Sequence, residues 1–282
     1  MDRPITEGPV RARDAWLARL RVVHPFPSLL VAALTVALVP VADRHARSST
    51  IAVLGVSMLC YQFTIGLAND LVDAAADAQA KPWKAIPSGA VARRLALFVA
   101  FGLTVCGLAL SATLGPVVWS IGVAGLACGL TYDLWLKRTT WSWLPYAVAF
   151  PLLPTWVFVA TNSWSDRLWW IFPLGAVLGF ALHLANQAPD IENDRSIGAG
   201  GFAEKLGQER AAHLARALFA ACGLLATLIV GWGSARGLLM TGTVVLALVS
   251  AALVRRRRVP DGLFAVLAVG SAAVAVLFLS SV

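Results

Sequence analysis

Residues 51–77 read IAVLGVSMLCYQFTIGLANDLVDAAAD. The first eighteen of them, Ile51 to Ala68, carry no charge, and the last nine carry three aspartates. Because about 20 apolar residues cross the hydrocarbon core of a bilayer as a helix, this stretch predicts a membrane-spanning helix that delivers acids to one membrane face. The rest of the chain has the same character: 59% of the 282 residues are hydrophobic and 13% are charged, the latter about half the share of an ordinary soluble domain. That composition excludes a soluble globular enzyme.

Apolar runs between charge clusters predict nine helices, at about 22–41, 51–68, 91–113, 116–134, 142–160, 168–186, 210–232, 237–254 and 262–282. The expected fold is therefore an all-α, polytopic membrane protein, with residues 1–282 forming one transmembrane domain. The break at Leu114-Gly115-Pro116 is the tightest. The first run follows Arg11, Arg13, Arg19 and Arg21 as a signal peptide would, but its length and the lack of a small-residue cleavage site predict a retained helix.

The placement of Lys and Arg predicts the orientation. Eighteen of the 23 lie in the N-terminal segment 1–21 and after the second, fourth, sixth and eighth helices, and only Arg44, Arg47, Arg167 and Arg236 lie in the alternate loops. The positive-inside rule then sets the N-terminus in the cytoplasm, the C-terminus outside, and the chain in the cell membrane. The net charge of +8 belongs to this asymmetry and to membrane lipids, so nucleic acid is not an expected partner. Cys60, Cys106, Cys128 and Cys222 sit in apolar runs without paired spacing and imply neither disulfide nor metal cluster.

Six of the 15 acids fall in two segments at the cytoplasmic ends of the second and sixth helices, inside the expected loops 69–90 and 187–209: Asp70, Asp73 and Asp77, then Asp190, Glu192 and Asp194. Asn69, Asp73 and Asp77 are spaced i, i+4, i+8 and share a face if the helix continues past its apolar run. Asn186, Asp190 and Asp194 repeat that spacing 117 residues later. Like charges one turn apart repel, and a divalent cation removes the objection. Carboxylate and amide oxygens are hard donors suited to Mg²⁺, which commonly shares its sites with substrate phosphates. Lys81 and Lys84 after the first cluster, Arg195 after the second and Lys137 on the same side match a phosphate-bearing ligand, although the positive-inside rule alone would also put bases there.

These segments resemble the UbiA superfamily of intramembrane prenyltransferases. The pattern NDxxDxxxD is complete in Asn69, Asp70, Asp73 and Asp77, and the second motif appears as Asp190, Glu192, Asp194, Arg195 and Gly198 in D-x-E-x-D-R-x-x-G. The resemblance implies Mg²⁺ ligation by Asn69, Asp73, Asp77, Asp190 and Asp194, with Asp70 and Glu192 nearby. It implies diphosphate contacts by Lys84, by Tyr132 and Lys137 after the fourth helix, and by Arg21. His24 stands where a second Arg often precedes the Pro, and Ala85 replaces the usual Pro after Lys84. The implied chemistry is Mg²⁺-dependent ionisation of an isoprenyl diphosphate, with apolar helices shielding the allyl cation from water.

Two fates of that cation stay open: transfer to a small aromatic or lipophilic acceptor, which makes the chain a prenyltransferase, or attack by the substrate's own double bond, which makes it a terpene cyclase. A transporter is disfavoured because its ionisable residues should line a path near the midplane. Trp135, Trp141, Trp143, Trp164, Trp169 and Trp170 fall at predicted helix ends and read as interfacial belts. Trp156 lies deeper and is expected to line a cavity. His24, Tyr132, His183 and Asn186 complete the candidate substrate-binding set, with His183 also readable as a helix-packing residue.

Overall fold

The computed structural model describes residues 24–189, 191, 201–257 and 262–282. All regular structure among these residues is helical. The long helices are α1 (Pro25–Ala42), α2 (Ser48–Ala80), α3 (Arg93–Ala112), α4 (Pro116–Thr131), α5 (Leu144–Ala160), α6 (Ile171–Gln187), α7 (Gln208–Val230), α8 (Ala235–Arg256) and α9 (Gly262–Leu279). A π turn, Tyr132–Leu136, continues α4, a 3₁₀ turn, Asp166–Trp170, leads into α6, and a short helix, Phe202–Leu206, precedes α7. Eight segments are long and apolar enough to cross a membrane, and α5, at 17 residues, is the shorter apolar helix beside them.

The helices close into a ring. Each packs on its neighbour in sequence from α1 to α6, α6 packs on α7, and α9 returns against α1 and α6. The outer faces remain apolar: Phe98 is 75% exposed, Phe101 69% and Leu246 67%. Water would not leave such rings uncovered over several helices, whereas lipid tails solvate them. Exposed Trp83, Trp135 and Trp141 mark one end of the bundle and Trp119, Trp169, Trp170 and Trp232 the other.

One expectation needed extension. The apolar run predicted a second helix ending near residue 68, but α2 continues for twelve more residues to Ala80. Five alanines between residues 74 and 80 supply the strongest helix former, and the helix stops at Lys81, just before Pro82, whose ring disfavours helical geometry in the residue ahead of it. At 1.5 Å per residue its 33 residues extend about 50 Å, well beyond a hydrocarbon core of roughly 30 Å. The acids therefore ride on rigid helix past the apolar layer. The break at Gly115 stands as expected, with φ of 105° at Gly115 and Pro116 at the first helical position.

Close approach of α5 and α6 sets the floor of the acid end. A β-carbon on Gly179 would overlap the carbonyl oxygen of Tyr146, so only glycine lets these backbones touch. Inside α5, Pro151 and Pro154 remove two backbone donors, and the Thr155 hydroxyl donates to the Pro151 carbonyl at 2.8 Å.

Candidate functional site

The extension of α2 brings Asn69, Asp73 and Asp77 to one face with Asp70 beside them, and two lysines reach into that face. Lys137 Nζ lies 2.6 Å from Asp73 Oδ1 and donates to Asn69 Oδ1 at 3.2 Å. Lys84 Nζ donates to Asp70 Oδ1 at 2.9 Å and to Asp77 Oδ2 at 2.7 Å. Arg138 reaches Asp73 Oδ1 at 3.4 Å. His24 Nε2 lies 3.2 Å from Asp70 Oδ1. Asp70 and Asp77 are both buried. Burial works against the Lys84 ammonium, yet hydrogen bonds and charge from Asp77 and Asp70 outweigh it and hold its pKa above the ordinary lysine value.

Local structure explains each placement. Lys84 stands in the turn between α2 and α3, which is anchored where Ala85 packs with Leu67, Leu71 and Ala96 and where Val91 N–H donates to the Ala85 carbonyl at 2.9 Å. The small Ala85 fits this seat. Arg93, at the start of α3, clamps the same corner by donating to the Leu71 carbonyl at 2.9 Å. His24 caps α1 with φ of 47°, a left-handed backbone that costs a non-glycine residue about 1–2 kcal/mol. Lys81 follows α2 and is half-buried, with its N–H donating to the Asp77 carbonyl at 2.7 Å.

Tyr132 and Lys137 are five residues apart, a spacing that would leave them about 140° apart on an α-helix. The π turn between them, closed by Lys137 N–H donating to the Tyr132 carbonyl at 2.9 Å, winds more residues per turn and brings both to the same side. The Tyr132 hydroxyl accepts from Gln187 Nε2 at 2.6 Å. Its ring meets Tyr146 edge-on at 5.2 Å, and the Tyr146 hydroxyl accepts from Asn186 Nδ2 at 3.3 Å. His183 is fully buried, shares a hydrogen bond of 3.1 Å with the Ser142 hydroxyl and meets Tyr132 and Tyr146 edge-on. It packs behind these tyrosines, off the cavity wall.

That cavity, of about 330 Å³, runs through the ring beneath the acids. Gln62 and Ile65 of α2, Tyr132, Pro145 and Tyr146 line it toward the acid end, and Leu38 and Trp156 line it at depth. Trp156 is buried, with Nε1 donating to the Val118 carbonyl at 2.9 Å.

Two residues that sequence reasoning passed over belong here. Asp133, in the π turn, is 2% exposed, its Oδ2 has no hydrogen-bond partner, and Lys137, Asp73, His24 and Asp70 all lie within its electrostatic reach. Gln187 orders Tyr132. A lone acid at the end of an apolar run resembles any interfacial residue, and the only signal was its place beside Tyr132.

Asn69 and the three aspartates are hard oxygen donors already paired with cationic nitrogens, which is the donor chemistry Mg²⁺ takes. Among the described residues, however, no three acidic, histidine or cysteine side chains gather into a ready metal site. Arg21, Asp190, Glu192, Asp194 and Arg195 lie outside the described residues. The residues flanking the second motif approach the turn that continues α4: Gln187 meets Tyr132, and a β-carbon on Gly201 would stand 3.4 Å from the Lys137 carbonyl.

A sequence model of the UbiA prenyltransferase family matches residues 26–281. The chain belongs to this family. It is a multi-pass membrane protein. Among UbiA relatives, the digeranylgeranylglyceryl phosphate synthase of Methanoregula boonei is 34% identical over 173 residues, 58% of this chain and 60% of that protein. The bacteriochlorophyll synthase 33 kDa chain of Cereibacter sphaeroides is 33% identical over 175 residues, 59% of this chain and 58% of that protein. The matching stretch thus spans less than two thirds of either relative. A UbiA homolog from Archaeoglobus fulgidus, solved with GPP and Mg²⁺, shares the fold with a TM-score of 0.68 at 16% identity, over 94% of this chain and 100% of that one.

Proposed function

We propose that this UbiA-family chain ionises an isoprenyl diphosphate and transfers the prenyl group to a small lipophilic acceptor, releasing diphosphate. The observation that carries this reading is the stacking of two environments. A carboxylate face threaded by Lys84 and Lys137 stands directly above an apolar cavity whose upper wall is Tyr132. A charged head and a long apolar tail on one molecule fit that pair. Relatives that are a digeranylgeranylglyceryl phosphate synthase and a bacteriochlorophyll synthase chain, and a homolog that binds GPP and Mg²⁺, support the same class.

In this reading Asn69, Asp70, Asp73 and Asp77, with Asp190 and Asp194 from the second motif, hold Mg²⁺. When bound, the metal supplies positive charge against the departing diphosphate. Lys84 and Lys137 offer ammonium donors to phosphate oxygens as they now do to carboxylates, and Lys81, Arg21 and Arg195 add basic charge at that end. Tyr132, oriented by Gln187, sits between the charged face and the cavity and contacts the leaving group. His24 and Asn186 border the head-group region, and Trp156 lines the cavity at depth. The apolar wall keeps water from the allyl cation. The whole chain acts as one domain in the cytoplasmic membrane, its acid end facing the cytoplasm.

A second reading, cyclisation, is favoured by the scarcity of polar groups along the cavity, where Gln62, Ser271 and three tyrosines stand among aliphatic and aromatic side chains. Incubation with Mg²⁺ and a prenyl diphosphate separates the two: a cyclic product without acceptor supports cyclisation, and consumption only after an acceptor is added supports transfer. Asp73→Ala should abolish Mg²⁺-dependent diphosphate release, and full turnover in that variant would remove the metal assignment.

A further inference from the structure

Three glycines of α4 line the cavity, Gly122, Gly125 and Gly129, and packing accounts for only two of them. A β-carbon on Gly122 would stand 3.1 Å from the Tyr61 hydroxyl and 3.3 Å from Trp156 Nε1, and one on Gly129 would overlap Ile65. These two are small because α2 and α5 press on α4. A β-carbon on Gly125 would meet nothing within 4 Å. At 100° per residue, Gly125 lies near the centre of the lining face, between Ile121 a turn deeper and Cys128 a turn higher. A side chain at 125 would project into the lumen, so its absence serves whatever occupies that space.

The dimensions say what that is. On α9 the lining residues run furthest, from Phe264 to Leu279; on α1, α5 and α6 they run from Pro27 to Leu38, from Pro145 to Trp156 and from Ile171 to Leu182. Each of these last three is an eleven-residue advance, or about 16 Å. An extended isoprene unit, four carbon–carbon bonds of about 1.5 Å each in zigzag, covers roughly 5 Å. Three units therefore fill the depth that α1, α5 and α6 share. Volume agrees: a cavity of about 150 Å³ takes the six carbons of benzene, roughly 25 Å³ per carbon, and the 330 Å³ here then encloses about 13 carbons. Gly125 stands seven residues before Tyr132, about 10 Å below the acid end, where a second unit ends and a third begins.

We infer that the chain is matched to a donor of three isoprene units, a fifteen-carbon prenyl diphosphate, and that Gly125 is the residue that admits the third unit. This rests on the prenyl diphosphate reading above. The test measures the binding of non-ionising thiolo-diphosphate analogues with 5, 10, 15 and 20 carbons to the full chain in lipid nanodiscs with Mg²⁺, which needs no acceptor. Wild type should gain about tenfold or more in affinity from 10 to 15 carbons and little from 15 to 20. In Gly125→Leu and Gly125→Phe the ratio of 15-carbon to 10-carbon affinity should fall about tenfold. Gly125→Ala, whose methyl meets nothing, should show a smaller fall in the same direction. A wild-type plateau at 10 carbons, a further steep gain at 20, or an unchanged ratio in all three variants would overturn the inference while leaving the prenyl diphosphate reading intact. Failure of wild type to bind any of the four analogues would overturn both.

Discussion

Lys84 links two buried carboxylates that belong to different turns of α2, and its removal leaves both without their cation. Truncating one partner of a buried pair costs about 3–5 kcal/mol when burial is complete, and because Lys84 keeps 23% of its side chain exposed, about 1–3 kcal/mol is expected here. The pH dependence follows from its raised pKa. A lysine whose folded pKa exceeds its unfolded value stabilises fully below the ordinary value of about 10.4 and loses that contribution as pH rises through the folded value. The stability gap between wild type and Lys84→Met, measured by denaturation without divalent ions, should therefore stay flat between roughly pH 7 and 9. Asp133 acts at the same scale. Its carboxyl is buried within electrostatic reach of Lys137 and Asp73, so Asp133→Asn, which changes that environment without changing shape, should alter the Mg²⁺ concentration needed for half-maximal diphosphate release by up to about tenfold. A Mg²⁺ titration reads this directly. The acids of α2, and Lys84 and Lys137 that meet them, were legible because charge is scarce in an apolar chain. Asp133, Gln187 and Ser142 were not, because an isolated polar residue at the end of an apolar run has no periodic partner to mark it.

Among elements, the π turn after α4 decides whether Tyr132 and Lys137 act together. It accommodates one residue more than an α-helical turn would, and Leu134 within it is 47% exposed. Deleting Leu134 leaves Tyr132 and Lys137 four residues apart, a spacing that an α-helix also puts on one face. This deletion should cost less than tenfold in diphosphate release, whereas Lys137→Ala should cost about 100-fold or more; equal losses would show that the π geometry itself is needed. Apolar runs between charge clusters located α1 to α9 to within a few residues at most ends, since those runs are long and uninterrupted. It could not end α2, because alanines and acids mix helix propensity with polarity, nor foresee the π turn, which depends on how Lys137 docks on Asp73 across the bundle.

For the whole molecule, the pairing of His24 with Asp70, Lys137 with Asp73 and Ser142 with His183 gathers the start of α1 and the ends of α2, α4 and α6 at one end of the ring. The tail after α9 emerges at the opposite end. A cysteine placed at Ser281 should react with a membrane-impermeant thiol reagent in intact cells, and one placed at Ser88, in the Lys84 turn, should react only after permeabilisation. The reverse pattern would invert the proposed orientation. The proposed orientation rests on the distribution of Lys and Arg, while ring closure by α9 against α1 was not legible in the sequence, because every face of α9 is apolar.

The pairing on α2 also bears on how such a protein is made. Asp70, Asp73 and Asp77 face Lys84, Lys137 and Arg138, so the carboxylates carry their own counter-ions from within the chain. Unpaired acids at the edge of a bilayer would be costly during insertion. Here the newly synthesised polypeptide carries the neutralising charge within its own sequence.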